Sequence, residues 1–125
     1  MMYKITRMVF LLFLIAVISY PIMITDSLSR GKFYQVKFKM TSEKGNSRFV
    51  GLYTQKTLDA DLFIYDENDK LLGKFSGTAG KYPNEFLFPG NGIYSAKVVA
   101  FSGEGPFLML ISDRDELKKI LKDVK

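Results

Sequence analysis

Between Asp59 and Ser112 the sequence breaks into short apolar runs, each closed by residues that favour turns. Leu62-Phe63-Ile64-Tyr65 is an aromatic and β-branched run. It lies between Asp59 and Asp61 on one side and Asp66-Glu67-Asn68-Asp69 on the other. Asp and Asn stop strands because their side chains bond nearby backbone and tolerate left-handed conformations. A return strand follows at 70–76, then a loop at 77–83 and a short apolar run, Glu85-Phe86-Leu87-Phe88. Pro89-Gly90-Asn91-Gly92 is a dense turn signal. Residues 93–102 then alternate, with Tyr94, Ala96, Val98 and Ala100 on one face. Gly103-Glu104-Gly105 reads as another turn, and 106–112 as the closing strand.

Upstream, 32–41 alternates equally well, placing Tyr34, Val36, Phe38 and Met40 on the inner face. A turn at 42–47 leads to a strand at 48–55, in which Gly51 suits a bulge. Seven short strands with turns between them predict an all-β domain: a seven-stranded antiparallel β-sandwich of jelly-roll or immunoglobulin-like type over 32–112. The expected core is Tyr34, Val36, Phe38, Leu62, Ile64, Tyr94, Ala96 and Val98.

Several of these pieces resemble the bacterial pre-peptidase C-terminal domain, a small secreted β-sandwich. They are the strand Asp59-Ala60-Asp61-Leu62-Phe63-Ile64-Tyr65-Asp66, the start Asn91-Gly92-Ile93-Tyr94, the ending Val98-Val99-Ala100-Phe101-Ser102-Gly103, and Gly105-Pro106-Phe107-Leu108. The resemblance implies a β-sandwich and, in function, an accessory domain. Members are usually appended to secreted peptidases, and some bind polymers. This chain carries no attached peptidase and has a long apolar segment instead.

That segment, Met8 to Thr25, contains no charged residue. As a helix, its eighteen residues would span about 27 Å, near the hydrocarbon thickness of a bilayer. Lys4 and Arg7 precede it, as in a signal sequence or signal anchor. The lipid-facing residues expected are Phe10, Leu11, Leu12, Phe13, Leu14, Ile15, Val17 and Ile18. The run continues past Ser19 and neither cleavage candidate, Val17-Ile18-Ser19 or Thr25-Asp26-Ser27, is an Ala-x-Ala, so an uncleaved anchor is preferred to a cleaved signal. The sequence thus divides into an anchor at 1–25, a linker at 26–31, the β-domain at 32–112 and a helix at 113–125. The N-terminus is placed in the cytoplasm and the β-domain outside, because long folded domains translocate largely regardless of their charge.

The C-terminal helix has Asp113 as its N-cap with Glu116 three residues later, a capping-box spacing. Leu117, Ile120, Leu121 and Val124 fall on one stripe, the partner-binding candidates if the domain itself does not cover them.

Composition narrows the chemistry. There is no Cys, His or Trp, which excludes disulfides, a Ser-His-Asp triad, cysteine catalysis and the common zinc sites. The net charge of +5 is spread along the chain: residues 26–112 hold 11 basic and 9 acidic side chains, and nucleic-acid binding is not expected. Asp59, Asp61, Asp66, Asn68 and Asp69 are weak calcium candidates, since the spacing matches no EF-hand and turn chemistry explains them. Tyr53, Tyr65, Tyr82, Phe86, Phe88, Tyr94 and Phe101 are candidates for a binding platform, with about half of them expected to face the core. No cofactor and no enzyme activity are expected. The chain reads as a membrane-anchored, non-catalytic binding or assembly module whose partner is a protein or an extracellular polymer. The alternatives are an accessory subunit of a larger membrane complex, of stator or pilus type, and a cleaved, secreted polymer-binding domain.

Overall fold

The computed structural model describes residues 22–41, 45–77 and 83–123. Among the described residues seven antiparallel strands form one sheet, followed by a helix. The strands are β1 (Ile22–Ser29), β2 (Phe33–Met40), β3 (Ser47–Thr54), β4 (Leu58–Tyr65), β5 (Leu71–Ser76), β6 (Asn84–Leu87) and β7 (Gly92–Ser112). The helix, α1, is Arg114–Asp123.

The 21-residue β7 is the axis of the fold. Its first part pairs with β2 on one side and β4 on the other, and β5 extends β4 outward. Its last part pairs with β1 and β3, and β6 extends β3. The sheet therefore has two four-stranded halves that share β7. One half contains β2, β4 and β5; the other contains β1, β3 and β6.

Three bends lie side by side where the halves meet. The chain turns between β1 and β2 at Arg30-Gly31, between β3 and β4 at 55–57, and within β7 at Gly103. Backbone bonds tie the bends together: Arg30 N–H donates to the Gly103 carbonyl at 2.9 Å, and Glu104 N–H donates to the Thr57 carbonyl at 3.0 Å. Gly103 has φ 75°, which side-chain-bearing residues avoid, and a Cβ there would run into the Thr57 carbonyl oxygen. The sequence predicts a turn at 103–105 that ends one strand and starts another. Instead the glycine bends a continuous strand from one half into the other.

A second difference concerns β1. It takes in Ile22–Thr25, counted above with the apolar run, and most of the 26–31 stretch read as a linker. Ile22 is buried in the core and Ile24 packs against it. The pattern is legible afterwards: Ile22, Ile24 and Leu28 face inward and Met23, Thr25 and Ser27 outward. The surrounding apolar sequence hides this alternation. Residues 8–21, including Phe10 to Ile18, lie outside the described residues. Among the described residues no helix is long and apolar enough to cross a membrane.

The core agrees with the alternation. Phe38, Leu62, Ile64, Ala96 and Val98 are fully buried, Tyr94 is 5 % exposed, and Tyr34 and Val36 pack on the edge. Residues of both halves belong to this one core, among them Val50, Leu52, Met109 and Ile111. Phe88, Tyr94, Phe86 and Phe38 form an edge-to-face and stacked cluster with centroids 4.7–6.1 Å apart.

Arg48 lies among these apolar groups with only 2 % of its surface exposed. Its guanidinium donates to the carbonyls of Gly45 (2.6 Å), Ser47 (2.8 Å) and Thr41 (3.2 Å), fastening the β2–β3 connection. A buried charge is tolerated because its hydrogen bonds are supplied by backbone.

The helix docks on its own domain. The Asp113 carboxylate accepts the Glu116 N–H at 2.8 Å, the N-cap expected from the spacing. Leu117 is buried, Ile120 is half-buried and Leu121 is exposed, while Val124 lies outside the described residues. Arg114 reaches toward Glu85 at 4.0 Å and sits over the Phe49 ring, which places the helix against the outer side of β3.

Candidate functional site

Alternation sends every second residue of β2, β4 and the first part of β7 away from the core. Register then lines these outward residues into rows. Phe33 stands opposite Val99, which stands opposite Asp61; Gln35 stands opposite Lys97, which stands opposite Phe63; Lys37 stands opposite Ser95, which stands opposite Tyr65. Lys39 continues β2, Phe101 continues β7, and Lys74 on β5 extends the row of Phe63. The outer face of this half thus carries Phe33, Phe63, Tyr65 and Phe101 among four lysines.

The rings are ordered by one another. Phe63 stacks on Tyr65 at 6.4 Å and meets Phe101 edge-on at 6.5 Å. The Lys97 Nζ lies 4.4 Å from the centre of the Phe33 ring, a cation–π contact. Phe33 is 57 % exposed and Phe101 48 %. Lys74 bridges Asp61 at 3.4 Å and passes 5.9 Å from the Phe63 ring.

This face differs from the platform expected from sequence. Tyr65 and Phe101 belong to it, but Phe88 and Tyr94 are core residues, Phe86 is half-buried against them, and Tyr53 lies on the other half. Tyr82 lies outside the described residues. Phe33 and Phe63 were missed. Parity was the available signal: Phe33 is one residue out of phase with Tyr34, and Phe63 with Leu62.

The calcium candidates are not brought together. The Asp66 carboxylate accepts the N–H groups of Asn68 (2.8 Å) and Lys70 (2.9 Å), closing its own turn, and Asp69 takes the left-handed conformation that completes it. Asp61 faces Lys74, and Asp59 is exposed opposite Ser102. Among the described residues no three acidic groups converge as metal ligands.

Among the described residues, open clefts also lie elsewhere. One, of about 350 Å³, is bordered by Thr25, Tyr53, Gln55 and Leu108 on the other half. Burial raises the Tyr53 phenol above its usual pKa, and burial followed by the nearby Asp26 charge raises that of Tyr34. The other, of about 250 Å³, lies between the 66–68 turn and the 89–92 turn, where the Tyr94 hydroxyl donates to the Gly90 carbonyl at 2.7 Å. Neither holds a nucleophile beside a base.

The arrangement of strands can be set against solved structures. The pre-peptidase C-terminal domain of a collagenase from Bacillus anthracis superposes with a TM-score of 0.60 at 19 % identity, over 76 % of this chain and 91 % of that one. The fold resembles that domain. A Yersinia pseudotuberculosis-derived mitogen is also similar, with a TM-score of 0.56 at 11 % identity, over 78 % of this chain and 89 % of the other. At such identities the likeness is one of fold. No family model and no curated protein matches the sequence. The strand and turn pieces that suggested the domain family are thus supported by shape.

Proposed function

We propose that the chain is an exported, non-catalytic binding module that meets its ligand on the outer face of the β2–β7–β4–β5 half. We read the two halves as the leaves of a β-sandwich, since their inward residues share one core. The observation that carries the reading is the outward group of exposed Phe33 and Phe101 with half-buried Phe63 and Tyr65, beside lysines on one sheet face. Core packing does not require these rings, and exposed aromatic residues grouped on a rigid sheet suit recognition. The absence of His and Cys from the whole chain argues against most nucleophile–base pairs.

A photo-crosslinking residue in place of Gln35, on the β2 edge of this face beside Phe33 and Lys97, tests the reading in the native cell envelope. Crosslinking from Gln35 that disappears when Phe33 and Phe63 become Ala is the expected result. Crosslinking only from Leu87 or Leu121 would replace it with a second reading, an accessory subunit of a larger membrane complex. That alternative is favoured by the exposure of Leu87 (72 %) and of Leu121 on the docked helix.

Export rests on the apolar run. With Ile22–Thr25 engaged in β1, the uncharged sequence left over is Met8 to Pro21, fourteen residues. That matches the 7–15 residues of a signal-peptide core and falls short of the ~20 of a membrane span. Cleavage after Ser27 would cut β1 and strip Ile22 and Ile24 from the core. Cleavage after Ser19 leaves β1 whole. We therefore favour a processed module over an anchored one, with the domain outside the cytoplasm in either case.

A further inference from the structure

Lys37 and Lys39 stand two residues apart on β2, roughly 7 Å along the strand. Both are exposed, and among the described residues neither has a carboxylate within ion-pair distance. Lys97 lies on the adjoining strand beside them, its ammonium over the Phe33 ring. A cation–π contact leaves the N–H groups free to donate outward. The fourth cation, Lys74, is occupied by Asp61, and the exposed Asp59 stands farther down β4. Toward a ligand, the β2 side of the face therefore offers positive charge next to exposed rings.

These two chemistries fit a polyanion whose rings can pack on aromatic side chains. An aromatic ring packs on the apolar C–H face of a sugar, and an ammonium donates to a carboxylate or sulfate. We infer that the face takes an acidic polysaccharide, a chain of sugar rings carrying carboxylates. This deepens the binding-module reading and rests on it. A single strand of nucleic acid is the competing polyanion, but it calls for a basic groove that tracks its backbone over several phosphates, longer than three lysines provide. A polyuronate carries its charge on the sugar rings themselves, one carboxylate to a ring.

Affinity electrophoresis of the full chain in non-ionic detergent, through gels containing polygalacturonate, neutral dextran or oligo-thymidine DNA, tests the inference. Polygalacturonate alone should retard the chain, and added salt should release it, because exposed charges are screened. The double variant K37Q/K39Q should bind about tenfold more weakly, a loss of about 1.4 kcal/mol. F33A/F63A should also bind more weakly, with the melting temperature of both variants close to that of the parent. Equal retardation by dextran, stronger retardation by DNA, or undiminished binding by K37Q/K39Q would each overturn it. Failure with all three polymers would overturn it too. The wider reading would then still be decided by crosslinking from Gln35, which does not depend on the ligand's charge.

Discussion

At Gly103 the backbone is left-handed and a neighbouring carbonyl fills the space a methyl group would need. Gly103→Ala should therefore cost about 2 kcal/mol or more, from strain and from displacement of the 55–57 turn. Chemical denaturation compares it with Gly90→Ala, which meets open space and should be nearly silent. Arg48 poses the opposite case, a large polar group in an apolar setting. Arg48→Met keeps much of its volume but leaves the carbonyls of Thr41, Gly45 and Ser47 without their donor. Losing these hydrogen bonds, each worth about 0.5–1.5 kcal/mol net, should make the variant melt below the parent in calorimetry. Val98→Asp is the simplest probe of register. Val98 is fully buried between Tyr34 and Leu62, and an unpaired carboxylate there should unfold the domain or come close to it.

The strands show what a single sequence can and cannot reveal. Period-two patterning located β2 and the start of β7, because one face of each is buried and the other is wet, and turn residues bounded β4 and β5. It also chose the right core residues, since a one-residue slip would have turned Lys37, Lys39 and Lys97 inward. It failed at β1 and at 103–105 for different reasons. Ile22 to Leu28 is embedded in a longer apolar run, so no contrast marks its boundary. Two glycines two residues apart mark a hairpin and a strand bend equally well, and the choice depends on the Thr57 carbonyl, far away in sequence. The outer aromatic face was half legible: Tyr65 and Phe101 stood out, whereas Phe33 and Phe63 were concealed by buried neighbours. Two elements carry their own tests. N-terminal sequencing of the native protein should give Tyr20 as its first residue; a start at Leu28, or an intact Met1, would refute the processing derived from β1. Removing 113–125 should lower the melting temperature of the chain by about 5 °C or more, since Leu117 is buried and one buried Leu is worth about 1.5–3 kcal/mol.

On the scale of the whole molecule, β7 belongs to both halves and pairs with β1, β2, β3 and β4. Neither half is complete without it. The β7 strand is also the last of the seven in the sequence. A ribosome or a translocation channel that releases the chain from its N-terminus delivers six strands before the one they need. Early hairpins such as β4–β5 bury little apolar surface alone, and isolated hairpins are marginal in water. The emerging polypeptide is therefore expected to stay open until the segment ending at Ser112 is free. On the exported reading proposed above, that late closure has a use: the order of the strands keeps the chain passable while it is threaded.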